Sequence, residues 1–230
     1  MEIGLDSSSS SGILLIDKPT GMTSHDVVYK VRKKTDVKRV GHTGTLDPLA
    51  TGLLIILVGR EFTKRQNEFL KLDKEYICEA QLGIETDTYD ADGKVIQRAK
   101  WKELKEISQT NLKKVLENFR GEIIQIVPAY SAVKIKGQKL YEKARKGEII
   151  KDLPSKKIDI KKLELLDFKK DQQKIFFTIK VVCSSGTYIR SLVHDIGQLL
   201  GVGATITSLR RISIGKYKIK DAMTLQSFVV

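Results

Sequence analysis

Apolar and polar positions along the chain follow patterns that predict a mixture of strands and helices. A continuous apolar run at 12–17 predicts a buried strand, and a second run at 53–58 predicts another. Between them, valines recur at helical spacing, which predicts a helix over about 24–34 with Ser24 as its N-cap. Order is therefore expected to begin at Gly12.

The remaining patterns continue this mixture. Further strands are predicted at 75–82, 122–126, 157–169 and 175–182. Helices are predicted at about 102–119, 139–145 and 188–200. Because the two kinds of element do not alternate as regular βαβ units, we predict an α+β fold around a mixed sheet.

Two segments differ from the rest in composition. Residues 1–11 include five consecutive serines and almost nothing apolar, so we expect them to be disordered. No linker follows, which predicts one domain over 12–230. The segment 128–154 interleaves lysines and arginines with Tyr130 and Tyr141. That composition is typical of an element that grips nucleic acid, and equally of a solvated helix face.

Charge and the counts of rare residues narrow the class of protein. Lys and Arg total 41 against 28 acidic residues, a formal net charge of +13, which favours a polyanionic partner. A merely charged, soluble surface explains the same balance. Two cysteines without a signal-peptide pattern predict reduced thiols in a cytoplasmic protein. No histidine stands at metal-ligand spacing from a cysteine, and no apolar run is long enough to span a membrane, so we expect neither a metal nor a membrane anchor.

A glycine-dense stretch at 41–52, GHTGTLDPLATG, carries the candidate chemistry. Its glycines let the backbone bend sharply or approach a ligand, and Pro48 pushes Asp47 towards an extended conformation. Asp47 is therefore predicted at a stiff turn before a buried strand, where a carboxylate can act as a nucleophile or in acid–base chemistry. On the residues alone, an ordinary Asp-Pro turn explains the pattern as well.

Six stretches together form an ordered set of motifs. They lie at 18–24, 41–52, 73–76, 86–93, 186–190 and 209–211. In this order they resemble the motifs of the TruB-type pseudouridine synthases, and the likeness runs from about 12 to 218. The resemblance implies the pseudouridine synthase fold, with a mainly antiparallel β-sheet core and flanking helices. It also implies an isomerase that converts uridine to pseudouridine at position 55, in the T loop of tRNA, after flipping the base.

The resemblance further implies roles for three central residues. Asp47 is expected to be the catalytic residue that attacks the target nucleotide. Arg190 is expected to pair with Asp47, because an adjacent guanidinium keeps a carboxylate ionised and aimed. Its place at the start of a helix, away from the end that favours cations, also asks for a specific partner. Tyr76 is expected to stack on the flipped base, although its strand position would suit a core residue too.

The resemblance assigns supporting roles to four other residues. His42 is expected to enter the T loop, Tyr188 and Leu209 to complete the pocket wall, and Lys18 to support the catalytic loop. The reaction changes neither redox state nor composition, so we expect no cofactor. We also expect no C-terminal RNA-binding module, no obligate protein partner and a monomer. An RNA-binding protein, such as a tRNA folding chaperone, is the alternative that the charge and the aromatic residues leave open.

Overall fold

The structure is a computed structural model that describes residues 4–5, 11–135, 137–148 and 152–228. The strands among these residues are, in chain order, β1 (Gly4–Leu5), β2 (Gly12–Lys18), β3 (Val40–His42), β4 (Thr51–Val58), β5 (Lys74–Leu82), β6 (Ile84–Thr86), β7 (Val95–Arg98), β8 (Gly121–Ile126), β9 (Lys134–Ile135), β10 (Gln138–Lys139), β11 (Ser155–Asp171), β12 (Lys174–Cys183), β13 (Ala204–Ile214), β14 (Tyr217–Lys218) and β15 (Met223–Thr224). The helices are α1 (Ser24–Thr35), α2 (Arg60–Thr63), α3 (Gln66–Leu70), α4 (Trp101–Leu104), α5 (Gln109–Glu117), α6 (Leu140–Arg145) and α7 (Ile189–Leu199), with a 3-10 turn at Ile219–Asp221.

The described residues form two compact units. Unit 1 runs to Ile77 and resumes at Leu209, and unit 2 runs from Cys78 to Ser208. In unit 1 the strand order is β1-β2-β4-β13, with β13 from Leu209 onwards, and in unit 2 it is β5-β12-β11-β8, with β5 from Cys78 onwards. Strand β4 is parallel to β13 and antiparallel to β2. Strand β11 is antiparallel to both of its neighbours, β8 and β12. The predicted α+β class with a mixed, mainly antiparallel sheet is confirmed, and the single domain over 12–230 stays a prediction.

The core of unit 1 lies on both faces of β2 and β4. Successive side chains of a strand point to opposite faces of the sheet. Here one set packs with α1 and the other with Phe69 and Tyr217, so both faces are covered. Strands that are buried on both faces can be apolar at every position, which explains the two continuous runs in the sequence.

Helix α1 begins with a capping box at Thr23. The Thr23 hydroxyl accepts from the Asp26 N–H at 3.1 Å, and the Asp26 carboxylate accepts from the Thr23 N–H at 2.8 Å. The Thr23 hydroxyl also donates to the Asp26 carboxylate at 2.7 Å, and this hydrogen bond, followed by the one from the Thr23 N–H, lowers the pKa of Asp26. The expectation that Ser24 caps the helix is therefore wrong. Ser24 is buried instead, and its hydroxyl accepts from the Leu46 N–H at 2.8 Å.

Unit 2 is built on the long strand β11. Its first residues pair with β8 and the remainder with β12. Helix α7 is amphipathic, and it contacts α5 and β8. The buried apolar residues of α7 are Ile189, Leu192, Val193 and Ile196.

Two sequence expectations differ from the structure or fall outside it. The helix predicted over 102–119 is two helices, α4 and α5, because Ser108 and Asn111 form a capping box that starts a new helix. Of the segment 1–11, only 4, 5 and 11 are described, and Gly4–Leu5 pair with β2. The rest of that predicted disordered segment lies outside the described residues. No helix within the described ranges has the length and apolar character needed to cross a membrane.

Candidate active site

The loop between β3 and β4 carries Asp47. The Asp47 carbonyl accepts from the Ala50 N–H at 3.1 Å, so the four residues from Asp47 to Ala50 form a hydrogen-bonded β-turn. Pro48 occupies the second position of this turn, which its fixed φ favours. The Asp47 side chain is half-buried. The stiff turn that the sequence predicted is present.

Lys18 anchors this turn from the end of β2. Its side chain is fully buried, and its Nζ donates to the carbonyl oxygens of Pro19 at 2.9 Å, Met22 at 2.6 Å and Pro48 at 3.4 Å. Burial lowers the pKa of Lys18 from 10.5 to about 8, while the charge of Asp47 acts in the opposite direction. Lys18 therefore joins the backbone on the C-terminal side of Asp47 to the first motif.

Arg211 contacts the same loop from β13. Its guanidinium is buried, with the side chain donating from Nε to the Leu53 carbonyl at 2.8 Å, from Nη2 to Gly44 at 3.1 Å and from Nη1 to Thr45 at 3.5 Å. No role for Arg211 was predicted from the sequence. The only signal was its place in the last motif, because an arginine within a strand pattern is normally taken for a solvent-facing residue.

His42 ends β3 at the entrance to the loop. Its Nδ1 accepts from the Gly44 N–H at 3.3 Å, and its carbonyl accepts from the Gln66 side chain at 2.7 Å. Burial lowers the pKa of His42, and the nearby charge of Arg211 lowers it further. The lowered pKa favours the neutral imidazole form of His42.

Tyr76 and Leu209 also belong to unit 1. Tyr76 lies on the buried face of β5 and is 8% exposed. Leu209 is equally buried, and its carbonyl accepts from the Thr51 hydroxyl at 3.5 Å, next to the start of β4. Unit 1 thus holds five of the seven expected site residues, and of these Lys18 and Asp47 interact electrostatically.

Arg190 lies in unit 2, at the start of α7. Its guanidinium is buried and donates from Nη1 to the Thr88 carbonyl at 2.7 Å and from Nη2 to the Tyr130 carbonyl at 2.9 Å. The Asp90 carboxylate, itself buried, lies 3.6 Å from Nη1. These contacts fix the plane of the guanidinium. Asp90 belongs to the fourth motif, but no sequence pattern links it with Arg190. The pairing of Arg190 with Asp47 stays a prediction.

Tyr188 precedes Arg190 and caps α7. The side-chain amide of Gln125 clamps its backbone, accepting from the Tyr188 N–H at 2.8 Å and donating to the Tyr188 carbonyl at 3.0 Å. Gln125 is buried on β8, so the start of α7 is tied to the sheet of unit 2. This clamp is a second feature that the sequence pattern did not reveal.

The basic segment 128–154 belongs to unit 2 and connects β8 with β11. Its ends meet, because the Val127 N–H donates to the Pro154 carbonyl at 2.9 Å. Within it, β9 and β10 form a hairpin that leads into α6. Cations of Lys139 and Arg145 lie 5.3 and 5.4 Å from the ring centre of Tyr141. Residues 136 and 149–151 of this segment lie outside the described residues.

Comparison with protein families gives two adjacent matches. Residues 32–189 match the model of the TruB family pseudouridylate synthase N-terminal domain. Residues 190–230 match that of the tRNA pseudouridylate synthase B C-terminal domain. The first match contains Asp47, and the second contains Arg190 and Arg211. The absence of a C-terminal RNA-binding module stays a prediction.

Curated relatives and solved structures give the same family. A tRNA pseudouridine synthase B from Endomicrobium trichonymphae is 47% identical over 212 residues, 92% of this chain and 88% of the relative. One from Aquifex aeolicus is 44% identical over 218 residues, 95% of this chain and 73% of the relative. A chain of a Cbf5–Nop10–Gar1 complex superposes with a TM-score of 0.67 at 29% identity over 93% of this chain. This chain spans about half, 52%, of that solved chain. The protein therefore belongs to the TruB family of pseudouridylate synthases.

Proposed function

We propose that this protein converts the uridine at position 55 of tRNA to pseudouridine, with Asp47 as its nucleophile. The proposal rests on the β-turn that contains Asp47 in a chain of this family. The buried Lys18 contacts the backbone of this turn at the Pro48 carbonyl. The relatives named tRNA pseudouridine synthase B support tRNA as the substrate. The net charge of +13 suits a polyanion.

The reaction needs few groups because it is an isomerisation. The bond from the ribose C1′ to N1 of uracil breaks, the base turns, and a bond from C1′ to C5 forms. The proton on C5 is lost and N1 gains one, so no atom or electron enters from outside. A carboxylate that attacks the nucleotide, a cation that keeps it ionised and an aromatic surface for the base suffice. Asp47, Arg190 and Tyr76 are the residues we assign to these three tasks, on the family resemblance.

Other assigned residues would help to extract the base from its loop. Flipping costs a few kcal/mol, which stacking on an aromatic side chain offsets by about 1–3 kcal/mol per base. A neutral His42 suits a group that fills the space left in the RNA loop, since an uncharged ring stacks with little desolvation cost. Tyr188 and Leu209 would form the pocket wall. We also propose that the protein acts in the cytoplasm as a monomer, without a cofactor or an obligate protein partner.

The deciding experiment compares wild type with Asp47→Asn on an unmodified T-arm stem-loop RNA. Pseudouridine formation and binding of the RNA are measured in parallel. The matched control is Asp36→Asn, because Asp36 is an exposed carboxylate of the same unit whose left-handed backbone (φ 54°) accepts asparagine. We expect conversion by wild type and by the control, and none by Asp47→Asn, with equal affinity in all three.

Two outcomes would contradict the proposal. Tight binding without conversion by the wild type would favour an RNA-binding protein such as a tRNA folding chaperone. Undiminished conversion by Asp47→Asn would show that the wrong carboxylate has been assigned.

A further inference from the structure

Two buried cations bracket the loop that carries Asp47. Lys18 contacts the Pro48 carbonyl, immediately after Asp47. Arg211 contacts the carbonyls of Gly44 and Thr45 before Asp47 and that of Leu53 after it. All of these residues belong to unit 1.

We propose that Arg211 is a positioning residue. Its guanidinium holds the carboxylate of Asp47 in place by donating hydrogen bonds to the backbone on both sides of Asp47. This inference rests on the proposed function, because it takes Asp47 as the nucleophile. Arg211 does not contact the substrate. It acts on Asp47 through the backbone of the loop.

Burial makes this arrangement specific to arginine. Arg211 is 1% exposed, and burying a charge is costly unless hydrogen bonds replace its water. A guanidinium offers five donors in a rigid plane, so one side chain can reach carbonyls on two separate stretches of backbone. Lysine carries the same charge but presents a compact ammonium that cannot span the same acceptors.

The strands keep Arg211 in register with the loop. Arg211 lies opposite Gly52 in the parallel pair of β13 and β4. Gly52 has a φ of 103°, and a Cβ at this position would collide with the backbone of Arg211. The close approach of β4 and β13 at this point therefore depends on glycine, and it brings the guanidinium of Arg211 next to the loop.

The neighbouring Arg210 provides a matched control. It lies on the same strand, but its guanidinium makes a forked contact with the Asp17 carboxylate, at 2.6 and 3.1 Å, and one with the Thr51 hydroxyl at 3.3 Å. These hydrogen bonds lead to β2 and to the start of β4 and not to the loop from 43 to 50, and the side chain of Arg210 is 43% exposed. Arg210→Gln therefore removes a cation from β13 and keeps the hydrogen bonds from Arg211 to the loop.

The experiment compares wild type, Arg211→Gln, Arg211→Lys and Arg210→Gln. The rate of a single turnover and the Kd are measured on the T-arm stem-loop, together with the melting temperature. We expect Arg211→Gln to slow the turnover at least about tenfold, since a misplacement of about 1 Å can cost about 100-fold. The Kd should stay within about twofold. Arg211→Lys should recover part of the rate, because its ammonium keeps the charge and can still donate to one stretch of the backbone. Arg210→Gln should match wild type.

A second measurement does not depend on catalysis. Hydrogen–deuterium exchange of the amides from 43 to 50 should be faster in Arg211→Gln than in wild type or Arg210→Gln. This readout separates the two hypotheses. If wild type forms no pseudouridine, the proposed function fails, and the exchange rates alone decide whether Arg211 orders the loop.

Several results would overturn the inference. A folded Arg211→Gln with the rate and loop exchange of Arg210→Gln would show that the fork does not position the loop. Equal losses of rate and affinity that Arg211→Lys does not relieve would indicate a purely structural residue. If Arg211→Gln does not fold, Arg211→Lys decides: a slower turnover at unchanged Kd supports the inference, and a wild-type rate refutes it.

Discussion

Burial of the Lys18 ammonium should make the stability of this protein depend on alkaline pH. Its pKa falls from 10.5 to about 8 in the folded chain. Folding is therefore penalised while the lysine is charged: the penalty is fully present below pH 8 and disappears as pH rises to 10.5. The difference of about 2.5 between the two pKa values corresponds to roughly 3.5 kcal/mol of unfolding free energy, at about 1.4 kcal/mol per pH unit.

The assay is urea unfolding at several values between pH 7 and 10.5, for wild type and Lys18→Met. Tyrosines and other lysines titrate in the same range, so the informative quantity is the difference between the two proteins. We expect the unfolding free energy of wild type to rise by up to about 3.5 kcal/mol relative to Lys18→Met as pH increases across this window. An exposed-lysine variant, Lys102→Met, serves as the control and should follow wild type. A difference between wild type and Lys18→Met that does not change with pH would refute the reasoning.

Two further predictions concern unit 2. Asp90→Asn should lower the unfolding free energy by about 3 kcal/mol, because it removes the charge of a buried carboxylate beside the guanidinium of Arg190. Exposed Asp92→Asn should change the unfolding free energy by less than about 0.5 kcal/mol. Chemical denaturation measures both, and equal effects would show that the pair of Asp90 and Arg190 is not a structural contact. Replacing Arg145 and Lys146 of the basic segment together by Gln should reduce the slope of log affinity for tRNA against log salt by roughly 1.5, and an unchanged slope would show that these side chains do not contact phosphates.

The sequence alone determined the features that depend on local pattern. The two apolar runs predicted the central strands of unit 1 because every position in β2 and β4 must suit a sheet covered on both faces. The Asp-Pro dipeptide predicted the turn at Asp47, since the ring of Pro48 restricts both residues. The ordered motifs led to the family, which comparison with relatives confirmed.

Local pattern failed where the partner of a side chain is distant in sequence. Strand β13 was not predicted, because Arg210 and Arg211 interrupt its apolar alternation. The burial of Arg211 becomes favourable only when the Leu53 carbonyl, 158 residues away, is brought beside it.

The tertiary structure also decided the electrostatics of the site. Burial in the folded unit, and not the residue type, lowers the pKa of both Lys18 and His42. Likewise, the start of α7 needed a partner for its arginine, but only the fold could supply Asp90, 100 residues earlier in the chain. Side-chain desolvation and hydrogen bonds between remote segments arise only when the chain packs, so no local pattern can encode them.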